Sequence, residues 1–243
     1  MHIQDSPFAR KLAAFVALSP EDIGALSEIY KRRHKFTVGC DMVYQGQKDQ
    51  SAYIIASGWV CSYKLLPSGS RQIVDFQIPG DFLGLRSVLF RTADHCCMPV
   101  TPVEASEVMA ADLLAAFTQT PRLAAAVMWA ASRDEAMVVE HLVNLGRRTA
   151  AERTAHFMLE LGARLRLVGL ADRKDFKCPL SQSLLADTLG LSPVHINRVL
   201  RELREENLMT FQKGHVTFHD YDGLVKMADF DHAYLDHDGP MWK

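Results

Sequence analysis

Residues 182–201 read QSLLADTLGLSPVHINRVLR, a stretch that predicts two short helices meeting at Gly190. Ser181 is a good N-cap for the first helix, and Ser192 can cap the second, whose first position is Pro193. The apolar residues that both helices can bury at helical spacing are Leu184, Leu185, Leu189, Ile196, Val199, Leu200 and Leu203. This pattern predicts a helix-turn-helix, whose exposed second helix can enter a DNA groove.

The face of the second helix opposite its apolar residues carries His195, Asn197, Arg198 and Arg201. An arginine can donate two hydrogen bonds to guanine or pair with phosphate, and asparagine and histidine can reach base edges. The alternative interpretation is an ordinary helical hairpin with a solvated basic face. Residues 209–218, MTFQKGHVTF, favour DNA binding because they predict a β-hairpin that turns at Lys213, like the wing of a winged helix.

Charge is distributed unevenly along the chain. The 243 residues carry 27 Lys and Arg against 29 Asp and Glu, a net charge of −2. Residues 146–219, which include the helix-turn-helix, carry 12 Lys and Arg against 8 Asp and Glu, a net charge of +4. The basic surplus therefore lies where phosphate binding needs it.

Composition excludes several other classes of protein. A chain of this length with 48% hydrophobic residues can form one large or two ordinary domains. We find no run of about 18 apolar residues and no basic leader before an apolar segment, so we expect a cytoplasmic protein without a membrane span. The five cysteines lack CxxC or CxxH spacing, which predicts free thiols and no metal site. We find no catalytic motif and expect no enzyme.

Strands are predicted in the N-terminal half, after short helices within residues 12–30. From Phe36 onward, runs of β-branched and aromatic residues are broken by glycines, several of them 11 or 12 residues apart. The predicted strands are residues 53–56, 60–66, 72–77 and 103–110. We expect an all-β unit of about 75 residues, folded as a sandwich or roll.

A long helix is predicted from Pro121. Its small and apolar residues recur near a 3.5-residue spacing, which is typical of a helix that pairs with a copy of itself: Ala124, Val127, Ala131, Val138, Leu142 and Leu145. The alternative is a helix packed on its own domain. Asp134 and His141 lie near this seam, where they either fix its register or are simply exposed.

The chain thus predicts an α+β fold of four parts. Residues 1–115 form a sensor β-roll with N-terminal helices, 116–146 a dimerisation helix, 147–221 a winged helix-turn-helix, and 222–243 a tail with a short helix and a frayed acidic end. A hinge is expected at residues 146–148, a helix at 150–167, and a loop at 172–179.

The order roll, long helix and winged helix resembles the Crp/Fnr family of bacterial transcription regulators. The matching strings are Val43-Tyr44-Gln45-Gly46, Tyr53-Ile54-Ile55-Ala56-Ser57-Gly58, Arg71-Gln72-Ile73 and Pro79-Gly80-Asp81-Phe82-Leu83-Gly84. The resemblance implies a homodimer that binds palindromic double-stranded DNA through one recognition helix per subunit. It also implies a small-molecule effector sensed in a cyclic-nucleotide-binding-like roll, and a contact with RNA polymerase if the protein is an activator.

The effector pocket implied by the resemblance comprises Gly84, Leu85, Arg86, His95, Cys96 and Cys97. Members that bind cyclic AMP have a glutamate at the position of Leu85 and an Arg-Ser pair about ten residues later, where this chain reads Asp94-His95-Cys96-Cys97. Leucine cannot accept a ribose hydroxyl, and the cyclic phosphate lacks an arginine partner. We therefore expect an effector other than cyclic AMP.

No cofactor is expected. The oxygen-sensing members hold an iron-sulfur cluster with N-terminal cysteines, and this chain has no cysteine before Cys40. His95, Cys96 or Cys97 could act as an axial haem ligand, although exposed or half-buried side chains in a loop are the favoured interpretation. Cys178 is either a thiol whose oxidation changes DNA affinity or a passive one.

The DNA contacts implied by the motif and the resemblance come from Ser181, Ser192, Pro193, Val194, His195, Asn197, Arg198, Arg201 and Lys213. Many relatives have a base-reading glutamate where this chain has Val194, so we expect a half-site that differs from the family consensus, with Val194 against a thymine methyl. The alternatives are a dimeric ligand-binding roll without DNA binding and a haem- or redox-responsive member of the same family.

Overall fold

A computed structural model describes residues 3–48, 51–90 and 92–235. Its helices are α1 (Pro7–Ala13), α2 (Pro20–Ile29), α3 (Ala110–Gln119), α4 (Pro121–Arg147), α5 (Ala150–Leu167), α6 (Gln182–Leu189), α7 (Pro193–Glu205) and α8 (Tyr221–Ala228). Its strands are β1 (Arg33–Phe36), β2 (Ala52–Ser57), β3 (Val60–Leu65), β4 (Arg71–Gln77), β5 (Phe82–Leu83), β6 (Cys96–Pro99), β7 (Val103–Val108), β8 (Asp175–Lys177), β9 (Met209–Gln212) and β10 (His215–Phe218).

The N-terminal half is a roll of two antiparallel sheets, with strand orders β1-β7-β2-β5 and β4-β3-β6. Ile55, Val60 and Val103 lie in the core between them. The turn from β2 to β3 requires glycine, because Gly58 has φ +85° and a Cβ there would lie 2.2 Å from the carbonyl oxygen of Pro102. The predicted α+β fold with an N-terminal roll is confirmed.

Two segments that we predicted as loops contain strands. Cys96 and Cys97 begin β6, which pairs with β3, so that Ser62 lies opposite Cys97. Buried thiols behave as small hydrophobic side chains, and this pair extends the core of the roll. The loop prediction for residues 172–179 is also wrong, because Phe176 is buried in β8 and pairs with Val216 of β10.

The C-terminal half is a winged helix. Its three strands form one antiparallel sheet in the order β8-β10-β9, and the predicted wing turn is confirmed at Lys213 and Gly214, with φ +50° and +72°. Helix α5 packs closely on this sheet at Gly162, where a Cβ would approach the rings of Phe176 and Phe218 to 3.2 and 3.3 Å. The predicted helix at residues 150–167 is confirmed as α5.

Helix α4 divides into two sides and ends at Arg147, next to the predicted hinge. The side packed on its own chain includes Leu123, Ala126, Val127, Ala130, Arg133, Met137 and Asn144. Val127 therefore does not belong to the predicted pairing seam, because it lies in the chain's own core with Ala52 and Leu123. The other side is exposed and largely apolar, comprising Met128, Val138, Val139, Leu142, Val143 and Leu145.

The segment after the winged helix is packed rather than frayed as far as it is described. Leu235 is fully buried, and its carbonyl oxygen accepts a hydrogen bond of 2.6 Å from Nε of Arg133 in α4. The hydroxyl of Tyr234 donates to Glu160 of α5 at 2.7 Å. The prediction of a frayed end is wrong up to residue 235 because aromatic and aliphatic side chains anchor it; residues 236–243 lie outside the described chain.

Candidate nucleic-acid interface and sensor roll

Two serine caps begin the helices of the helix-turn-helix. The Ser181 hydroxyl accepts a hydrogen bond of 3.2 Å from the backbone N–H of Leu184, and the Ser192 hydroxyl accepts one of 3.2 Å from His195. Gly190 joins the helices with φ +60°, a left-handed conformation that ends α6. The apolar face of α7 is buried through Ile196, Val199, Leu200 and Leu203. The polar face is therefore turned outward.

That outward face brings most of the predicted DNA-contact residues together on one surface. Ser192, Pro193, Val194, Asn197, Arg198 and Arg201 are exposed on α7, and His195 is half-buried. Val194 is 81% exposed, although it is apolar and stands at the start of the helix. Such an exposed valine fits an apolar contact with a thymine methyl. Ser181 and Lys213 are also exposed, at the start of α6 and in the wing turn.

The arginines of this face make only weak contacts within the chain. Nε of Arg198 lies 3.8 Å from Glu202, and Nε of Arg201 lies 3.7 Å from Glu205, with all four side chains about half exposed or more. Exposed ion pairs of this kind contribute at most about 1 kcal/mol. Both guanidinium groups can therefore turn to a stronger partner, such as a base or a phosphate.

The roll contacts the helix-turn-helix directly, which the sequence did not reveal. Nε of Arg71 in β4 lies 2.7 Å from the carboxylate of Asp187 in α6, and the Gln72 side chain donates to the Thr188 carbonyl at 3.0 Å. Arg153 of α5 donates to the Leu189 carbonyl at 2.9 Å. The first two contacts join residues 116 positions apart, so no local pattern could have predicted them.

The predicted effector residues lie around the turn from β5 to β6. Gly84 has φ +66°, and Leu85 is half-buried against the core. Asp94 lies 2.7 Å from Nδ1 of His95 and 3.4 Å from Nε of Arg86. Burial alone raises the pKa of Asp94, but the hydrogen bond from His95 and the charge of Arg86 outweigh burial and lower it. Arg86 thus lies beside a carboxylate in a partly exposed pair.

Cys96 and Cys97 are not exposed or half-buried, contrary to the favoured prediction. Cys96 and Cys97 are buried, and so is the neighbouring His95. Burial raises the pKa of the Cys97 thiol to about 12, which leaves it protonated at neutral pH. Burial also raises the pKa of Cys178 to about 12, and this supports the passive role for that thiol, because oxidation proceeds through an accessible thiolate.

The donor sets for a metal or an iron-sulfur cluster do not assemble in the described residues, where no group of three or more His, Cys, Asp or Glu side chains is arranged to hold an ion. Cys61, Cys96 and Cys97 lie on adjacent strands of the roll, whereas Cys178 lies in the winged helix and Cys40 on the surface. These positions do not fit a four-cysteine cluster. None of the helices in the described ranges is both long and apolar enough to cross a membrane.

Comparisons with known proteins agree with this architecture. Residues 33–120 match the model of the cyclic nucleotide-binding domain, and residues 152–227 match that of the Crp-like helix-turn-helix domain. The chain is 31% identical over 190 residues to the nitrogen fixation regulation protein FixK of Bradyrhizobium diazoefficiens, covering 78% of each chain. It is 27% identical over 208 residues to the transcriptional activator protein Anr of Pseudomonas protegens, covering 86% of this chain and 84% of Anr.

Among solved structures, FixK2 of Bradyrhizobium japonicum superposes with a TM-score of 0.71 at 25% identity, covering 80% of this chain and 96% of FixK2. The predicted family is confirmed. Its members are transcription regulators rather than enzymes, bind DNA and act as dimers. By its fold, its two domain matches and its identity with FixK, this chain belongs to the Crp/Fnr family of DNA-binding transcription regulators.

Proposed function

We propose that this protein is a homodimer that binds a palindromic DNA site with one α7 helix per subunit and responds to a small-molecule effector in the roll. The observation that carries the proposal is the outward face of α7, which presents Val194, Asn197, Arg198 and Arg201 together in solvent. Val194 is 81% exposed and the two arginines make only weak internal contacts, so all three side chains are available to a DNA partner.

Each residue of the interface has a proposed partner. Arg198 reads guanine, Asn197 and His195 reach neighbouring base edges, and Val194 contacts a thymine methyl. Arg201 and Lys213 pair with phosphates, which position the helix without reading sequence. The helix N-termini that Ser181, Ser192 and Pro193 begin supply further phosphate contacts through their backbone N–H groups and dipoles.

The exposed side of α4 supports the dimer. Its apolar residues would be covered by the same side of a second copy, which gives the two-fold symmetry that a palindromic site requires. Val138, Leu142 and Leu145 of this side also line a cavity of about 170 Å³ that extends to β4 and α6. The pairing of two α4 helices therefore borders directly on the contact between roll and winged helix, which gives the roll a route to the DNA interface.

The effector belongs to the roll, and we propose one other than cyclic AMP. Leu85 offers no acceptor for a ribose, and Asp94-His95-Cys96-Cys97 stand where members that bind cyclic AMP have an Arg-Ser pair for the phosphate. A haem or other cofactor forms no part of the proposal. The relatives named as transcriptional activators favour activation. An activator of bacterial promoters acts in the cytoplasm and contacts RNA polymerase, and we propose both for this chain.

The proposed function is tested by sedimentation of the purified protein and by selection of binding sites from a pool of random duplexes. We expect a dimer in solution and an enriched palindrome whose half-site centres lie about 34 Å apart, one turn of DNA. A dimer that enriches no sequence would support the alternative of a ligand-binding roll protein. A monomer that enriches single half-sites would contradict the proposed dimer but not DNA binding by α7.

A further inference from the structure

Helix α1 lies where the roll meets the end of α5. Nη1 of Arg10 is 3.4 Å from the carbonyl oxygen of Val168, just after α5 ends. A Cβ on Gly80 would lie 2.9 Å from the Pro7 carbonyl oxygen and 3.1 Å from a methyl of Val168. The packing is therefore tight where three elements meet: the N-terminal helix, the turn before β5, and the end of the first helix of the winged helix.

A buried lysine stands at the centre of this contact. Lys11 of α1 is 1% exposed, and its Nζ lies 2.8 Å from Oδ1 of Asp81 and 3.5 Å from Oδ1 of Asp134 in α4. An ammonium group is rarely buried in this way unless a carboxylate compensates its lost hydration. Asp81 is therefore the group that keeps Lys11, and with it α1, in place.

The same carboxylate also holds the winged helix. Oδ2 of Asp81 accepts a hydrogen bond of 2.9 Å from Arg164 of α5 and one of 3.0 Å from the backbone N–H of Ile78. Arg164 donates further to Asp75 at 3.0 Å and to the Phe76 carbonyl at 2.7 Å. The fully buried guanidinium of α5 thus lies among groups of the roll, and Asp81 is shared between it and the lysine of α1.

We propose that Lys11 is a positioning residue: through the shared carboxylate of Asp81, helix α1 fixes the orientation of α5, and with it the winged helix, on the roll. The proposal deepens the proposed function by adding the N-terminal helix to the control of the recognition helix. Its second experiment, which uses DNA, rests on that proposed function. Buried ion pairs contribute little net stability but favour one geometry, because other arrangements leave a charge unpaired. Without Lys11, Oδ1 of Asp81 loses its charged partner, and α1 no longer holds the carboxylate where Oδ2 accepts from Arg164.

The first experiment measures this orientation within one chain and needs no DNA. Cys40 is exposed whereas the other four cysteines are buried, so one spin label goes on Cys40 of the roll and one on Glu206→Cys at the end of α7. Labelled chains are mixed with excess unlabelled protein, and double electron–electron resonance then reports only distances within a chain. We expect one narrow distribution for the parent protein and a broader one, or two populations, for Lys11→Met.

The matched control is Lys31→Met, which removes the same charge from an exposed pair with Glu28 and should leave the distribution narrow. If Lys11→Met does not fold, Asp81→Asn is measured instead; its amide keeps the shape but loses the charge shared by Lys11 and Arg164. A variant that melts at a lower temperature while its distance distribution stays narrow would overturn the proposal, because Lys11 would then act on stability alone.

The second experiment uses palindromes whose half-site spacing differs by one or two base pairs. With a fixed winged helix, the parent dimer should prefer one spacing by tenfold or more, whereas Lys11→Met should show less than a threefold preference. An unchanged preference in the variant would contradict the proposal. If neither protein binds any palindrome, the proposed function fails, and the distance measurement still decides the role of Lys11.

Discussion

His141 of α4 and Glu160 of α5 form a buried pair, with Nε2 of the imidazole 2.9 Å from Oε1 of the carboxylate. Nδ1 of His141 lies 3.2 Å from the carbonyl oxygen of Val74 in the roll. Since both ring nitrogens face oxygen acceptors, the imidazole can donate to both only when it is protonated. His141 is not simply exposed, which was one of its two predicted roles: the residue joins α4 to the roll and to α5.

This pair predicts that stability depends on pH. Burial lowers the pKa of His141, but the Glu160 carboxylate and its hydrogen bond outweigh burial and raise it to about 9. Because this value lies above the ordinary 6.5, the stabilisation is complete below pH 6.5 and is lost as pH rises through 9. Urea titrations should show the free energy of unfolding falling by about 2 kcal/mol between these pH values.

The control for this prediction is His141→Gln, which cannot carry the charge. We expect this variant to be less stable than the parent at pH 6.5 and to lose less stability by pH 9. Parallel curves for the two proteins would mean that other groups cause the pH dependence. Glu160 does not add to it in this range, because His141 outweighs the effect of burial and lowers the pKa of Glu160 to about 2.

The exposed side of α4 predicts the effect of a charge at Leu142. This side chain is 71% exposed, and in the proposed dimer it faces the second copy. Leu142→Glu places a carboxylate in that apolar contact, where two copies would also repel each other. Sedimentation at micromolar concentration should show a monomer for the variant and a dimer for the parent protein.

A matched control for Leu142→Glu is Leu114→Glu, which makes the same change at a leucine of α3 that is 69% exposed. This variant should remain a dimer, and thermal unfolding should show that both variants are folded. A folded dimer of Leu142→Glu would show that the subunits pair through a different surface.

Cyclic AMP should bind weakly. With Leu85 in place of a ribose acceptor and Asp94-His95-Cys96-Cys97 in place of an Arg-Ser pair, the cyclic phosphate would enter the roll without a bidentate partner. Leaving that charge unpaired costs several kcal/mol, a loss in affinity on the order of a thousandfold. Titration calorimetry should detect no saturation at micromolar cyclic AMP; a saturating micromolar isotherm would refute the expected selectivity of the roll.

The winged helix was predictable because its signals are local. The caps and breakers of its two helices act within a few residues: Ser181, Gly190, Ser192 and Pro193. In the structure, α6 begins and ends, and α7 begins, at the positions that these residues predict. The wing was equally clear from its turn at Lys213. Only the third strand of the sheet, around Phe176, escaped prediction, because three residues are too few to show an alternating pattern.

The contacts between the parts of the chain could not be predicted. Lys11 carries no sequence signal of burial, since lysine is normally exposed and its partner Asp81 lies 70 positions away. Val127 fits the pairing seam of α4 by its spacing, but spacing does not tell which neighbour covers a helix face. In the structure, Val127 is covered by its own chain. Leu235 was assigned to an acidic tail on composition, whereas its side chain packs in the hydrophobic core and its carbonyl oxygen accepts from Arg133, 102 positions earlier.

The role of α7 in DNA recognition is tested most directly by comparing Arg198→Ala with Arg201→Ala on the selected palindrome and on all its single base-pair variants. Fluorescence anisotropy at fixed salt should show that Arg198→Ala loses about 1 to 3 kcal/mol on the selected site and no longer discriminates at one base pair. Arg201→Ala should weaken binding to every site alike and reduce the salt dependence by about one phosphate contact. A loss by Arg198→Ala that is equal on all sequences, or no loss at all, would contradict base reading by α7.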